Sequence, residues 1–105
     1  MVRGEVFRLS SPRDRPGREQ TGARYAVVVQ ADELLGLSTV LVAPTSTKAR
    51  AASFRPVISL RNADTRVLTD QARAVDLQRL GKSIGRLDAE EIGAVDEALA
   101  LVLGL

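Results

Sequence analysis

The sequence predicts an α+β domain that is mainly β, with a curved antiparallel sheet followed by one C-terminal helix. Short apolar or alternating runs, separated by Gly, Pro and polar residues, fill most of the chain, which is typical of strands. Only the final segment repeats apolar residues at helical spacing. A chain of 105 residues has room for a single core, so we predict one domain over residues 1–105.

The first half of the chain is predicted to form four strands and one long loop. The third strand should end at Pro44, and the fourth should lie at a sheet edge because Pro56 has no N–H to donate. The segment Asp32–Gly36 reads as a turn or short helix. The loop Ser10–Thr21 (SSPRDRPGREQT) carries prolines and five charged residues, and loops this long in compact domains are usually functional or disordered. The strands are Glu5–Leu9, Tyr25–Gln30, Ser38–Ala43 and Phe54–Leu60.

The second half begins with shorter elements. One or two further strands are predicted over Arg66–Thr69 and Gln71–Val75, around Asp70. A single helical turn should follow over Asp76–Gly81, with Asp76 as its N-cap. The segment Ser83–Leu87 can pair as one more strand.

The clearest element is the C-terminal helix, which is predicted over Ala89–Leu103. Asp88 and Glu91 stand at the spacing of a capping box, in which the two side chains accept hydrogen bonds from each other's backbone N–H groups. Apolar residues then recur at spacings of three and four, so one face of the helix should pack on the sheet. That face consists of Ile92, Val95, Leu99 and Val102.

The composition excludes several classes of function. The chain has no cysteine and no histidine, which rules out disulfides, thiol nucleophiles, His-dependent acid–base catalysis and zinc sites of the usual ligand set. Its only aromatic residues are Phe7, Tyr25 and Phe54, too few for the stacking platforms of RRM-like domains. No apolar run approaches the roughly 20 residues of a bilayer span, and the N-terminus is unlike a signal peptide. We therefore expect a cytoplasmic protein without a membrane partner.

The charges are unevenly distributed along the chain. Residues 1–61 carry ten Arg and Lys against five acidic residues, whereas residues 62–105 carry five against eight. Thirteen of the fifteen cations are Arg, the side chain suited to bidentate phosphate contacts. This asymmetry favours a polyanionic partner, with chance surface charge as the alternative explanation.

Three polar clusters carry the candidate chemistry. The first is Arg18, Glu19 and Arg24, at the entrance to the apolar second strand; the second is Thr45–Thr47, and the third is Asp70–Arg73. Taken singly, each is also explained as loop charge, turn-forming hydroxyls or a charged turn. A serine without a nearby His or Lys motif is weak evidence for a nucleophile.

Taken in order, these clusters resemble the MazF/PemK family of toxin endoribonucleases over essentially the whole chain. The resemblance rests on six short segments in the family order at near-fixed spacing, none of which would be specific alone. They are Arg3–Val6, Gly17–Arg24 before a Val-rich strand, Val42–Thr47, Asp70–Arg73, Arg79–Leu87 and the tail from Val95 to Leu105.

The resemblance implies an SH3-like curved barrel with a C-terminal helix, of the MazF/CcdB-like type, that forms a homodimer. It further implies a type II toxin that cleaves single-stranded RNA at short specific sequences without a metal or other cofactor, and that a cognate acidic antitoxin neutralises. The family's catalytic arginine and hydroxyl correspond to Arg24 and Ser46, and a glutamate implicated in some members corresponds to Glu19. The residues predicted to bind RNA are Arg13, Arg15, Arg18, Gln20, Thr47, Lys48, Gln71 and Arg73.

The chain departs from the family pattern at three of these positions. Arg18 stands where Ser is usual, which adds a phosphate-binding candidate. Tyr25 stands where Pro is usual, and its ring can either stack on a base or pack in the core. Ser46 stands where Thr is usual, and a one-residue alignment slip would give its role to Thr47. The group that accepts the proton from the 2′-hydroxyl stays unassigned, with Glu19, water and the phosphate as candidates.

Two alternatives remain open from the sequence. A CcdB-like toxin shares the fold but binds DNA gyrase and cleaves nothing. A degenerate family member would bind only RNA or antitoxin. The CcdB-like binder does not require Arg24 and Ser46 to converge on one phosphate, whereas the degenerate member stays open because catalytic geometry depends on dimer packing.

Overall fold

The computed structural model describes residues 1–10 and 24–105, which form an antiparallel sheet of seven strands followed by one α-helix. Neighbouring strands follow the order β4-β5-β3-β2-β1-β7, and β6 also pairs with β3. This architecture confirms the predicted mainly β, α+β class. The elements are β1 (Glu5–Leu9), β2 (Tyr25–Val28), β3 (Thr39–Ser46), β4 (Val57–Leu60), β5 (Ala63–Val67), β6 (Arg73–Asp76), β7 (Leu80–Arg86) and α1 (Ala89–Leu103), with 3-10 turns at Asp32–Leu34, Thr69–Gln71 and Leu77–Arg79.

The longest strand, β3, pairs with three others. It pairs with β2 through Val42–Pro44, with β6 through Thr39–Val42 and with β5 through Thr45 and Ser46. The prediction that this strand ends at Pro44 is wrong. Pro44 lies between the part of β3 that pairs with β6 and the part that pairs with β5, so its missing N–H removes no hydrogen bond to either strand. Its carbonyl accepts a hydrogen bond from Leu68 N (2.8 Å).

The core is built on both faces of the curved sheet. Consecutive residues of β2 alternate between two clusters, because strand side chains point to opposite faces: Ala26 and Val28 lie in one cluster, and Val27 lies in the other. The continuous apolar sequence of β2 therefore reflects burial on both sides. One cluster contains Val6, Val27, Val29, Ala43, Ile58, Val67, Leu87 and Val95; the other contains Leu9, Ala26, Val28, Val40, Val42 and Val75.

Helix α1 has the predicted bounds and the predicted N-terminal capping box. The Asp88 carboxylate accepts from Glu91 N (2.8 Å), and the Glu91 carboxylate accepts from Asp88 N (3.0 Å). Val95 and Ala98 are buried, but Val102 is 39% exposed. The prediction that Val102 belongs to the packing face is thus wrong, since the helix extends beyond the core in its last turn.

The remaining differences concern element boundaries. The predicted edge position of β4 is confirmed, although the strand begins only after Pro56. Strand β5 begins at Ala63 rather than at Arg66, directly after the two-residue turn Arg61–Asn62. Strand β7 begins earlier than predicted, at Leu80. The predicted helical turn with Asp76 as its cap is present, and Asp76 accepts from Gln78 N (2.8 Å).

A salt bridge ties the segment between β5 and β6 to the chain that precedes β4. The Arg55 guanidinium donates from Nε and Nη2 to the two carboxylate oxygens of Asp70, at 3.1 and 2.8 Å. The buried Thr69 hydroxyl also donates to the Phe54 carbonyl. The hydrogen bonds from Arg55 lower the pKa of the Asp70 carboxyl from its usual range. Asp70 therefore acts here as an anchor.

Within residues 1–10 and 24–105, no helix combines the length and the apolar character that crossing a membrane requires.

The first stability prediction concerns Glu91. Its carboxylate also accepts from Ser59 N on β4 (2.9 Å), so Glu91→Ala removes both a helix cap and a link from α1 to the sheet. We expect a loss of about 1–2 kcal/mol in the free energy of unfolding, measured by urea denaturation. Glu90→Ala, an exposed carboxylate in the same turn, is the matched control. Equal effects of the two variants would contradict the role given to Glu91.

The second stability prediction concerns pH. The folded-state pKa of Asp70 is lowered, so the pair stabilises the fold above the unfolded pKa of about 3.9 and loses this contribution as pH falls through the folded pKa. Asp70→Asn should therefore destabilise the protein at pH 7. The difference from wild type should shrink as pH falls from about 5 towards 2.

Urea denaturation at several pH values measures that difference, with Asp64→Asn, an exposed carboxyl on β5, as the control. A difference that stays constant over the whole range would show that the ionised Asp70 carboxylate contributes nothing.

Candidate active site

A cavity of about 470 Å³ opens where β2 begins, β3 ends and the Thr69–Gln71 turn leads into β6. Three separate stretches of sequence bring polar side chains to it, and Leu9 of β1 adds an apolar one. Its apolar and neutral wall comprises Leu9, Tyr25, Pro44, Thr45 and Leu68. The predicted site residues that line it are Arg24, Ser46, Lys48, Gln71 and Arg73.

Arg24 is held at this cavity by its backbone. Its carbonyl accepts a hydrogen bond from Leu9 N (2.8 Å), one position before β2 begins. The residue itself is exposed. A fixed main chain thus carries a guanidinium that reaches an open cavity, where it can meet an anionic group.

Ser46 is the last residue of β3 and pairs with Arg66 of β5. Its Oγ accepts a hydrogen bond from Lys48 N (3.1 Å). Because the hydroxyl acts as an acceptor in this contact, its own proton is available to donate to a ligand. The same contact turns the chain so that Lys48 also faces the cavity.

Gln71 and Arg73 reach the cavity from the other side. The Gln71 N–H donates to the Leu68 carbonyl (2.9 Å), which closes the 3-10 turn. Arg73 begins β6 and pairs with Val42 of β3. The Arg55–Asp70 salt bridge anchors this segment, while Asp70 itself does not line the cavity.

The cavity is strongly cationic. Arg24, Lys48 and Arg73 contribute three positive charges, and no acidic residue is among the described residues that line it. Guanidinium and ammonium groups around a small space favour an anion such as a phosphate group. In the part of the chain that the structure describes, no group of three or more acidic residues is arranged to hold a metal ion.

The other predicted site residues lie elsewhere. Thr47 lines a neighbouring cavity of about 280 Å³, so the structure groups Ser46, and not Thr47, with Arg24. Arg13, Arg15, Arg18, Glu19 and Gln20 fall outside the described residues.

Sequence reasoning missed the lining of the second cavity, which includes Arg61 and Thr65. The sequence feature that could have indicated this cavity is the two-residue turn Arg61–Asn62 between β4 and β5. The sequence-based prediction begins β5 at Arg66, three residues after its observed start at Ala63, and therefore does not contain this turn.

Comparisons with known proteins agree with the resemblance found in the motifs. Residues 2–103 match the family described as the PemK-like, MazF-like toxin of type II toxin–antitoxin systems. The Mycobacterium tuberculosis protein named toxin Rv3098A is 38% identical to this chain over 106 residues. The match covers 100% of this chain and 99% of the relative. Endoribonuclease MazF9 of the same organism is 34% identical over 116 residues, covering 100% and 98%.

Solved structures support the fold. An endoribonuclease in complex with its cognate antitoxin from a mycobacterial species superposes with a TM-score of 0.82 at 20% identity, covering 100% of this chain and 96% of that one. MazF from Deinococcus radiodurans gives a TM-score of 0.79 at 22% identity, covering 100% and 97%. The family match spans nearly the whole chain, and the motif order, the curved sheet and the terminal helix agree with it. The chain therefore belongs to the PemK-like, MazF-like toxin family of type II toxin–antitoxin systems.

Proposed function

We propose that this toxin is an endoribonuclease that cleaves single-stranded RNA at short specific sequences. The observation that carries the proposal is the shared cavity of Arg24 and Ser46, which Lys48 and Arg73 surround with positive charge. Relatives named Endoribonuclease MazF9 and, from Bacillus subtilis, Endoribonuclease EndoA support it; the latter is 33% identical over 96 residues and spans 85% of this chain.

The substrate supplies the nucleophile in this reaction. The 2′-oxygen of one nucleotide attacks the adjacent phosphorus while its proton passes to a base. The bond between phosphorus and the 5′-oxygen breaks, and the 5′-oxygen takes up a proton from water or from the protonated base. The products are a 2′,3′-cyclic phosphate and a 5′-hydroxyl end. The enzyme must hold the 2′-oxygen in line and stabilise the charge that grows on the non-bridging oxygens.

Arg24 and Ser46 suit that stabilisation. The Arg24 guanidinium offers two parallel donors to the phosphate oxygens, and the free Ser46 proton offers a third. Lys48 and Arg73 hold the flanking phosphates, and Gln71 adds an amide that can contact a base or sugar. Because these donors neutralise the transition-state charge, the reaction is proposed to need no metal ion or other cofactor.

Proton transfer requires a different residue, since arginine stays protonated at neutral pH. Glu19 is proposed as the base, and Arg13, Arg15, Arg18 and Gln20 as RNA contacts beside it. Thr47 is proposed to contact RNA from the neighbouring cavity. The role of Thr47 follows from its place in that cavity. The roles of the other five residues follow from their position in the sequence and from the charge that RNA presents.

The proposed protein partner is an acidic antitoxin segment that covers the same cationic cavity. Acidic side chains would compensate the charges of Arg24, Lys48 and Arg73, and a segment that folds on binding would exclude RNA while bound. The mycobacterial structure described above is that of an endoribonuclease with its cognate antitoxin. A CcdB-like gyrase binder would need no such cavity, which makes that alternative the weaker one.

A homodimer is the proposed assembly. Leu41 on the central strand is 38% exposed, and Leu34 and Leu37 nearby are each 59% exposed, so apolar surface remains for a second subunit to cover.

The catalytic prediction is that Arg24→Ala and Ser46→Ala each lower the rate of RNA cleavage by about 10²-fold or more, as the loss of an oxyanion donor does. Arg24→Lys should rescue poorly, because an ammonium cannot reproduce the guanidinium fork. Ser46→Thr should stay active, because it keeps the hydroxyl. Cleavage is measured on a long RNA in EDTA by mapping the new 5′ ends.

Matched controls separate catalysis from folding. Arg86→Ala removes an exposed arginine at the end of β7, and Ser59→Ala removes an exposed hydroxyl on β4; both should cleave at the wild-type rate. The melting temperature is recorded on the same preparations. Full cleavage by a folded Arg24→Ala protein would overturn the assignment, and wild-type protein that leaves all RNA intact in EDTA would overturn the proposed metal-independent function.

The assembly prediction is a species of twice the 11.3 kDa chain mass in sedimentation at micromolar concentration. A sedimenting species of the single-chain mass over that range would contradict the dimer.

A further inference from the structure

The second cavity, of about 280 Å³, directly adjoins the candidate active site. The two cavities share Tyr25 and Thr45 as lining residues. Ligand pockets for drug-sized molecules start at roughly 300 Å³, so a space of this size suits one flat group. The lining consists of Tyr25, Thr45, Thr47, Leu60, Arg61, Ala63 and Thr65.

An aromatic ring and a guanidinium form one side of this second cavity. The Arg61 guanidinium carbon lies over the Tyr25 ring, 5.9 Å from its centroid. A contact of this kind is weak at an exposed site, and Arg61 is exposed. A planar ligand can therefore stack on Tyr25 in its place, which moves the guanidinium to the edge of the ligand.

The backbone of Arg61 gives an independent reason to look for function. Leu60 and Ala63 pair across a two-residue turn in which Arg61 and Asn62 have φ values of 50° and 63°. Such turns strongly favour Asn, Asp or Gly. An arginine at φ 50° destabilises the fold, because its side chain crowds the backbone in this left-handed conformation. The guanidinium is thus held beside Tyr25 at the expense of local backbone strain.

The polar atoms of the second cavity are complementary to a nucleobase edge. The Thr45 hydroxyl donates to the Tyr25 carbonyl (3.0 Å) and the Thr65 hydroxyl to the Ala63 carbonyl (3.2 Å), so each oxygen keeps lone pairs with which it can accept a hydrogen bond. Arg61 supplies several donors. The combination of one stacking surface, a forked donor and fixed acceptors is the pattern with which proteins read unpaired bases.

We propose that the second cavity is a nucleobase subsite, in which an unpaired base next to the scissile phosphate stacks on Tyr25. Arg61 selects the base, with guanine preferred because its O6 and N7 acceptors match the guanidinium fork. This inference rests on the proposed ribonuclease function. Tyr25 and Thr45 line both cavities, so a base in the second cavity would lie next to the phosphate that Arg24 and Ser46 are proposed to hold.

The single tyrosine of the chain provides a direct readout. Protein labelled with 3-fluorotyrosine has one ¹⁹F resonance, from position 25. The probes are four 2′-O-methyl pentanucleotides, UUGUU, UUAUU, UUCUU and UUUUU, which lack the attacking hydroxyl and cannot be cleaved. We expect a saturable shift of the resonance at the lowest concentration with UUGUU, at least about 10-fold below the other three.

The key variant is Arg61→Asn, which suits the left-handed turn and should fold at least as stably as wild type. It should keep a saturable shift but lose the preference for guanine. Arg86→Ala should behave as wild type, because Arg86 lies on β7, outside both cavities. The inference is overturned if the four probes shift the resonance equally in wild type, if none gives a saturable shift, or if Arg61→Asn retains the guanine preference.

The test separates this inference from the proposed function. If wild type cleaves RNA and the resonance does not respond to base identity, the ribonuclease stands and the subsite falls. If the resonance responds selectively to guanine while no RNA is cleaved, the subsite stands as a binding site and the ribonuclease falls.

Discussion

The hydrogen bonding of β3 is the constraint on which the rest of the structure depends. This one strand is shared by β2 on one side and by β6 and then β5 on the other. Val40 and Val42 lie in one core cluster and Ala43 in the other, so a slip of one residue would exchange the buried faces of the strand. The register that buries these residues also puts Ser46 beside Arg24.

The cationic wall opposite Ser46 depends on a second set of fixed contacts. Leu68 N binds the Pro44 carbonyl, and Arg55 binds Asp70, so the turn that carries Gln71 is attached both to β3 and to the chain before β4. Three positive charges close together repel one another. The Arg55–Asp70 salt bridge lies outside the cavity, so it anchors the segment that leads to Arg73 without adding a carboxylate to the described lining.

Much of this architecture could be predicted from the sequence, because its strongest signals are local. The capping box of α1, the Asp76 turn and the edge position of β4 each follow from a few adjacent residues. The end of β3 could not be predicted, since the effect of Pro44 depends on which neighbour its N–H would have faced. Which of Ser46 and Thr47 lines the same cavity as Arg24 also required coordinates, because successive strand residues point in opposite directions. The exposure of Val102 depends on how far the sheet extends under α1.

The two cavities share part of their lining, and this links the proposed recognition of a base to the proposed cleavage of the phosphate next to it. Tyr25 and Thr45 line both spaces, whereas Arg61 and Thr65 line only the smaller one. The β4–β5 turn is an exposed hairpin at the edge of the sheet, so its residues can change without disturbing the register of β3. The main chain of Tyr25 is held firmly, because it pairs with Arg8 of β1 and its carbonyl accepts a hydrogen bond from the Thr45 hydroxyl. Under the proposed function, base preference can therefore be altered at the turn, while the fixed strands preserve the geometry around the proposed phosphate site.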